Sequence, residues 1–215
     1  MGIGVLVLGE SGTGKSTSLR NFSYEEVSII NVEGKPFPFK SQFQRVKNTD
    51  NATLITHLLS QTKSKVVVID DAQYIMANEF MRRSTERGFD KYTEIGVNFF
   101  NVVDVVKTLP SDTIVYFLMH TEENSSGSVK AKTIGKMLDE KISLEGKFSI
   151  VLRTQVKDGH YLFSTQNNGY DTVKTPLGMF EKPLIENDLK KVDETIRTYY
   201  GLRRQEKCSD KDIHQ

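Results

Sequence analysis

The sequence has very little cysteine and no long apolar run. Cys208 is the only cysteine in 215 residues. One thiol cannot form an intramolecular disulfide, and we therefore expect a protein that folds in a reducing compartment, with the cytoplasm as its location. The apolar run at residues 3–8 is too short for a secretory signal, and no stretch approaches the ~18 apolar residues of a membrane helix. We expect neither secretion nor a membrane partner.

An excess of charge of one sign is also missing. The chain has 29 Lys and Arg against 28 Asp and Glu, a formal net charge of +1. This balance excludes a globally basic nucleic-acid binder, so any nucleic-acid contact must come from local patches. The length and the 37% hydrophobic content suit one globular core. We predict a single domain at residues 1–203 and a polar tail at residues 204–215.

Short β-branched runs alternate with helical patterns, which is typical of a mainly parallel sheet flanked by helices. The predicted strands lie at residues 3–8, 27–32, 66–70 and 114–119. Periodicity predicts helices that begin at Lys15, cover residues 52–61 and 92–109, and begin again after Asn187. Residues 148–166 contain two strand-like runs around Lys157-Asp158-Gly159, which predicts an antiparallel hairpin.

A phosphate-binding loop follows the first predicted strand. The sequence GESGTGKST matches the spacing G-x-x-x-x-G-K-[ST] in the required place, between a strand and a helix. The glycines let backbone N–H groups point at phosphates, Lys15 would reach the β- and γ-phosphates, and the Ser16 hydroxyl would bind Mg²⁺. The candidate nucleotide ligands are Gly9, Glu10, Ser11, Gly12, Thr13, Gly14, Lys15, Ser16 and Thr17.

A second acidic site ends the third predicted strand. In KVVVIDD, at residues 65–71, an apolar strand runs into two carboxylates. Asp70 stands where a carboxylate that holds Mg²⁺ is expected. Asp71 is either a second polarising acid or a cap for the segment that follows.

The loop alone does not decide the function, because several enzyme classes share it. The N-K-x-D signature of GTPases is absent. The segment MRRSTERGF, with Arg82, Arg83 and Arg87, is interpreted as a solvated linker, but it leaves a nucleotide or metabolite kinase as an alternative. A nucleotide-dependent assembly switch without turnover is the other alternative.

Three further stretches resemble the RecA-like ATPases. They are VSIINVEGKPFPFK with the Glu33-Gly34 step, IVYFLMHTEE with His120, and residues 144–180, which resemble the terminal hairpin of phage-encoded RecA-like ATPases linked to single-strand annealing recombination. The resemblance implies an α/β core with strand order 5-1-4-3-2 and a C-terminal antiparallel hairpin. It also implies roles for Glu33, which would activate water, for His120, a sensor of the γ-phosphate, and for Lys174, which would reach a neighbouring subunit's γ-phosphate.

The same resemblance implies a function and partners. The implied function is Mg²⁺-dependent hydrolysis of ATP, coupled to single-stranded DNA binding or annealing in phage recombination. The protein would act as a homo-oligomer in the host cytoplasm, with single-stranded DNA and a single-strand-binding protein as candidate partners. Lys130, Lys132 and Lys136 lie in the Ser/Gly/Lys-rich region where such proteins carry DNA-binding loops. Flexible lysines suit non-specific contact with a phosphate backbone. A merely solvated loop remains the alternative.

Overall fold

A central sheet organises the molecule. The computed structural model describes residues 1–124, 127–135 and 142–202. Lys136 and the predicted tail at residues 204–215 lie outside these described residues. The strands are β1 (Ile3–Gly9), β2 (Ser28–Asn31), β3 (Val46–Asn48), β4 (Val66–Asp70), β5 (Ile114–Glu123), β6 (Val129–Ala131), β7 (Ile150–Lys157), β8 (His160–Ser164) and β9 (Leu184–Glu186). The α-helices are α1 (Ala52–Ser60), α2 (Tyr74–Arg82), α3 (Asp90–Asp104) and α4 (Leu189–Tyr199).

The sheet is mostly parallel. Its strand order is β3-β2-β4-β5-β1-β7-β8-β9, and every pairing from β3 to β7 is parallel. At one edge β7, β8 and β9 pair antiparallel, and β6 pairs antiparallel with the end of β5. Of the six strands that the sequence located, all but β8 lie in the parallel part of the sheet, in the order β7-β1-β5-β4-β2. The expected α/β class with a mostly parallel sheet is therefore confirmed, and it fits the fold of phosphate-loop NTPases.

The central strands are buried on both faces. Along β1 the side chains alternate, so that Leu6 and Leu8 join one apolar cluster and Val5 and Val7 join the other. The first cluster includes Ile55 of α1 together with residues of α2 and α3, and the second includes residues of α4. This arrangement explains why the strands read as nearly continuous apolar runs.

The C-terminal helix is tied to the sheet by a buried charge pair. Arg197 Nε donates to Asp193 Oδ2 over 2.6 Å, and the hydroxyl of Tyr116 on β5 donates to Asp193 Oδ1 over 3.0 Å. The Arg197 guanidinium also donates to the carbonyls of Asp112 and Lys65 over 2.8 Å. Both buried charges are thus paired and hydrogen-bonded, and these contacts join α4 to the sheet.

The helices differ from the sequence prediction in two places. Where a helix was predicted to begin at Lys15, the structure has a short 3₁₀ helix at Ser16–Leu19 with Lys15 as its N-cap. Its Ser and Thr residues compete for backbone hydrogen bonds, and the Ser18 hydroxyl donates to the Lys15 carbonyl over 2.6 Å. The segment interpreted as a linker instead begins inside α2, which contains Met81 and Arg82.

None of the helices in the described residues is long and apolar enough to cross a bilayer.

Candidate active site

The phosphate loop opens into a cavity at the carboxyl edge of the parallel strands. The parallel register places His120 beside Gly9, and Asp70 beside Asn31. The loop, the predicted metal ligand and the predicted sensor therefore meet at one edge. The cavity has a volume of about 500 Å³. Its lining residues are Ser11, Gly12, Gly14, Lys15, Ser16, Thr17, Asn31, Lys35, Pro36, Pro38, Asp70, Asp71, His120 and Tyr161.

Glycine conformation and Lys15 shape the loop. Gly12 and Gly14 have φ values of +79° and +95°, a region that residues with a side chain rarely adopt. Lys15 Nζ donates to the carbonyls of Gly9 and Glu10, each over 2.9 Å, and so closes the loop around its own side chain. Burial lowers the pKa of Lys15 to about 8, although the nearby Asp71 and Asp70 carboxylates act in the opposite direction. A phosphate would add negative charge beside this ammonium group and favour its charged form.

Ser16 and Asp70 form the predicted metal-ligand pair. The Ser16 hydroxyl donates to Asp70 Oδ1 over 2.9 Å, and only 6% of Asp70 is exposed. Burial raises the pKa of Asp70 to about 6, the charge of Asp71 adds to the effect, and the Ser16 hydrogen bond opposes it. A buried carboxylate next to a hydroxyl is a set of oxygen donors that suits Mg²⁺.

Asp71 lines the same cavity in a strained conformation. Its φ is +61°, and it is one of two residues other than glycine with positive φ in the described chain. His120 Nε2 lies 3.4 Å from Asp71 Oδ1, and Lys35 Nζ lies 3.3 Å from Asp71 Oδ2. Partial burial acts to raise the pKa of Asp71, but His120 and Lys35 outweigh it and keep the pKa below its ordinary value. Asp71 is thus held as an ionised acceptor that faces the loop.

Comparison with known proteins places the chain in a family. The family model described as an AAA domain matches residues 1–176. The chain belongs to the AAA domain family. No curated protein matches the sequence. This AAA domain is a phosphate-loop NTPase, in a family whose members are generally ATPases that bind a nucleotide, usually with Mg²⁺.

The residues of this AAA domain fit a Mg²⁺-nucleotide. Gly14 forms a cradle that a side chain would fill, because a Cβ there would lie 2.9 Å from Tyr161 Cδ1. Beside Gly14, the buried carboxamide of Asn187 has no hydrogen-bond partner for either polar atom among the described residues. Buried polar atoms are normally satisfied, so these two atoms mark a place for a polar ligand or water. The Ser16 and Asp70 oxygens supply the donors for the metal ion.

Two of the predicted catalytic residues in this AAA domain lie apart from the cavity lining. Glu33 Oε1 accepts a hydrogen bond from Asn78 Nδ2 of α2 over 2.8 Å. Lys174 pairs through its backbone with Val151 of β7, and its side chain is exposed. Among the described residues, neither Glu33 nor Lys174 lines the cavity, whereas Lys15 and His120 both do.

Two of the predicted DNA-binding lysines lie in or directly after β6, and one of them contacts the His120 backbone. Lys130 is on β6 and forms an ion pair with Glu122 of β5 at 3.5 Å. Lys132 is exposed, and its backbone N–H donates to the His120 carbonyl over 2.9 Å. Lys136 lies outside the described residues.

Sequence reasoning missed several residues around the cavity of this AAA domain, and four of them bear on the site. Lys35 and Tyr161 line it, Asn187 lies beside Gly14, and the Thr154 hydroxyl is 2.6 Å from that of Thr13. All four come from segments far from the loop in sequence. Of these four residues, only Lys35 could have been suggested by its place in the sequence, because it directly follows the Glu33-Gly34 step.

Proposed function

We propose that this AAA domain hydrolyses Mg²⁺-ATP and couples hydrolysis to the binding or annealing of single-stranded DNA. The observation that carries the proposal is the meeting of Lys15, the Ser16–Asp70 pair and Asp71 in one cavity at the end of parallel strands. Phosphoryl transfer needs positioning and charge neutralisation more than covalent help from the protein. These residue types supply both.

Each side chain has a role that follows from its position. Lys15 binds the β- and γ-phosphates, and Ser16 and Asp70 hold Mg²⁺, which neutralises charge on these phosphates. The cavity lining favours Asp71 over Glu33 as the carboxylate that orients the attacking water. His120 positions Asp71, which it contacts at 3.4 Å, and in this proposal it also senses the γ-phosphate.

The backbone offers a route between DNA and the cavity. The ladder between β5 and β6 joins Thr121 to Ala131, and the next residue, Lys132, hydrogen-bonds to the His120 carbonyl. A strand of DNA held by Lys130 and Lys132 would therefore act on the same short segment that places His120 against Asp71. Contact through lysines is expected to be non-specific and sensitive to salt.

The RecA-like class and a role in phage recombination are the finer part of the proposal. The strand order β7-β1-β5-β4-β2 and the β7–β8 hairpin support it. In a homo-oligomer, the exposed Lys174 beside β7 would reach a neighbour's γ-phosphate. Single-stranded DNA and a single-strand-binding protein are the partners that this role implies.

The kinase alternative has less support in the structure. Arg82 is paired with Asp50 at 2.6 Å, and Arg83 is paired with Glu86 and Glu94 at 2.7 and 2.6 Å. Two of the three arginines that suggested a kinase lid are thus held by carboxylates of the protein itself. A nucleotide-dependent assembly switch would bind ATP without hydrolysing it, so the rate of hydrolysis distinguishes it from the proposed ATPase.

The test is steady-state ATP hydrolysis with and without single-stranded DNA, at about 50 mM and about 200 mM salt, a range over which DNA binding through phosphates weakens strongly. We expect stimulation by DNA that fades at the higher salt. The double variant Lys130→Ala/Lys132→Ala should lose the stimulation and keep the basal rate, whereas Lys47→Ala, an exposed lysine on β3, should keep both. Hydrolysis that DNA does not change at either salt would contradict the coupling, and binding of ATP without hydrolysis would favour the switch.

A further inference from the structure

A second lysine lines the cavity into which the phosphate loop opens. Lys35 lines the same cavity as Lys15, Ser16 and Asp70, but it comes from the segment that follows β2. Among the described lining residues, Lys15 and Lys35 are the two lysines, and the set contains no arginine. The cavity therefore presents two ammonium groups from two different strand ends.

The backbone around Lys35 is built to place it there. The Asn31 side-chain amide, at the end of β2, donates to the Lys35 carbonyl over 2.7 Å. The Gly34 N–H donates to the Asn31 carbonyl over 3.3 Å, and Gly34 has a φ of +64°, a turn conformation that glycine adopts readily. Pro36 follows and restricts Lys35 to an extended conformation. The position of Lys35 is thus fixed by a hydrogen bond, a glycine turn and a proline.

The Lys35 side chain is more than half exposed, and its ammonium group donates a hydrogen bond to Asp71. Its Nζ lies 3.3 Å from Asp71 Oδ2, 3.9 Å from Glu33 Oε2 and 5.0 Å from the centre of the Tyr74 ring. The side chain is 58% exposed, and an ion pair this exposed contributes little to stability. Fold stability therefore does not explain why a lysine is fixed at this point of the cavity.

We propose that Lys35 is a second phosphate-binding cation, which acts from within the same chain on the terminal phosphate of the nucleotide. This role rests on the proposed ATP site. In hydrolysis, the water oxygen bonds to the terminal phosphorus, the bond to the bridging oxygen breaks, and ADP leaves with that electron pair. Asp71 accepts the proton of the attacking water, and Lys35 keeps its own protons. The ammonium group of Lys35 stabilises the charge that develops on the phosphate oxygens.

A cation supplied by Lys35 from within the chain would replace one supplied by a neighbouring subunit. In RecA-like assemblies the corresponding charge comes from a neighbouring subunit, and Lys174 is the predicted donor here. With Lys35 in place, basal turnover per chain should not depend on protein concentration. Lys174 would then contribute only to turnover that requires assembly.

The variant Lys35→Ala tests the role, with Lys40→Ala, an exposed lysine on the same segment, as the matched control. Lys35→Ala should lower kcat by about 100-fold, the loss expected when one charge-stabilising group is removed from a transition state. Its affinity for ADP, which lacks the terminal phosphate, should stay within about twofold of wild type, and formation of the ADP–aluminium fluoride complex should be lost. Lys40→Ala should match wild type in all three measurements.

Other outcomes would overturn the role. A kcat of Lys35→Ala within about twofold of wild type would do so, and so would a loss of ADP affinity as large as the loss of kcat.

If wild type binds nucleotide without hydrolysing it, the proposed ATPase function fails. The role of Lys35 is then tested by comparing the affinities of wild type and Lys35→Ala for a non-hydrolysable ATP analogue. Equal affinity of wild type and Lys35→Ala for that analogue would overturn it. Loss of turnover in Lys35→Ala without any effect of DNA on wild type would support the role and contradict only the coupling. No nucleotide binding by wild type would overturn both.

Discussion

At the scale of single residues, Asp71 is the side chain on which the proposed chemistry depends most. It combines a strained backbone, an ionised carboxylate and contacts with two cavity residues, His120 and Lys35. Strain of this kind persists only where the surrounding structure imposes it, and it is concentrated at functional sites. Glu33, the acid that the resemblance favours, is instead hydrogen-bonded to Asn78 of α2.

The two carboxylates can be distinguished by isosteric amides. Asp71→Asn should lower kcat by about 100-fold or more, because it removes a general base while Asn still tolerates positive φ. Glu33→Gln should change kcat by less than about threefold, and both variants should bind ATP. The measurement is kcat from steady-state hydrolysis, with ATP affinity determined separately. The reverse pattern, with Glu33→Gln inactive and Asp71→Asn active, would assign the role to Glu33.

At the scale of elements, the end of β1 and the middle of β7 come unusually close beneath the phosphate loop. A Cβ on Gly9 would lie 1.8 Å from Thr154 Oγ1 and 2.7 Å from Thr13 Oγ1. Thr154 in turn donates to the Leu8 carbonyl over 3.2 Å and contacts the Thr13 hydroxyl at 2.6 Å. The strand that begins the hairpin thus supports the loop directly, and Gly9 is required by space rather than by its φ.

Gly9→Ala should destabilise the protein by about 1–3 kcal/mol, the usual cost of overpacking, because β1 and β7 must move apart. It should also weaken ATP binding, because the loop moves with them. The measurement is the free energy of unfolding in urea. Gly146→Ala is the control, since its Cβ would lie 3.6 Å from its nearest neighbour, an ordinary contact. Adding Thr154→Ala to Gly9→Ala should recover part of the loss, and a Gly9→Ala protein as stable as wild type would contradict the packing argument.

At the scale of the whole molecule, local patterns predicted the parallel sheet and one wall of the cavity. The loop from Gly9 to Thr17 and the strand that ends at Asp70 could be located because their spacing and apolar runs are local in sequence. The contacts of Lys35 and Tyr161 with the cavity depend on how a turn and a hairpin pack against the sheet. Such contacts join residues distant in sequence, and neither periodicity nor spacing reports them. Helix α2 was not predicted, and only its last two residues, Met81 and Arg82, belong to the segment that was interpreted as a linker.

Hydrolysis at the phosphate loop is tested by the steady-state rate of ATP hydrolysis by wild type and by Lys15→Ala, purified in parallel and shown to be folded. We expect Mg²⁺-dependent turnover by wild type and a loss of about 100-fold or more in the variant, because Lys15 is the proposed loop cation at the β- and γ-phosphates. Full activity in Lys15→Ala would show that hydrolysis does not occur at this phosphate loop, and the account would be wrong.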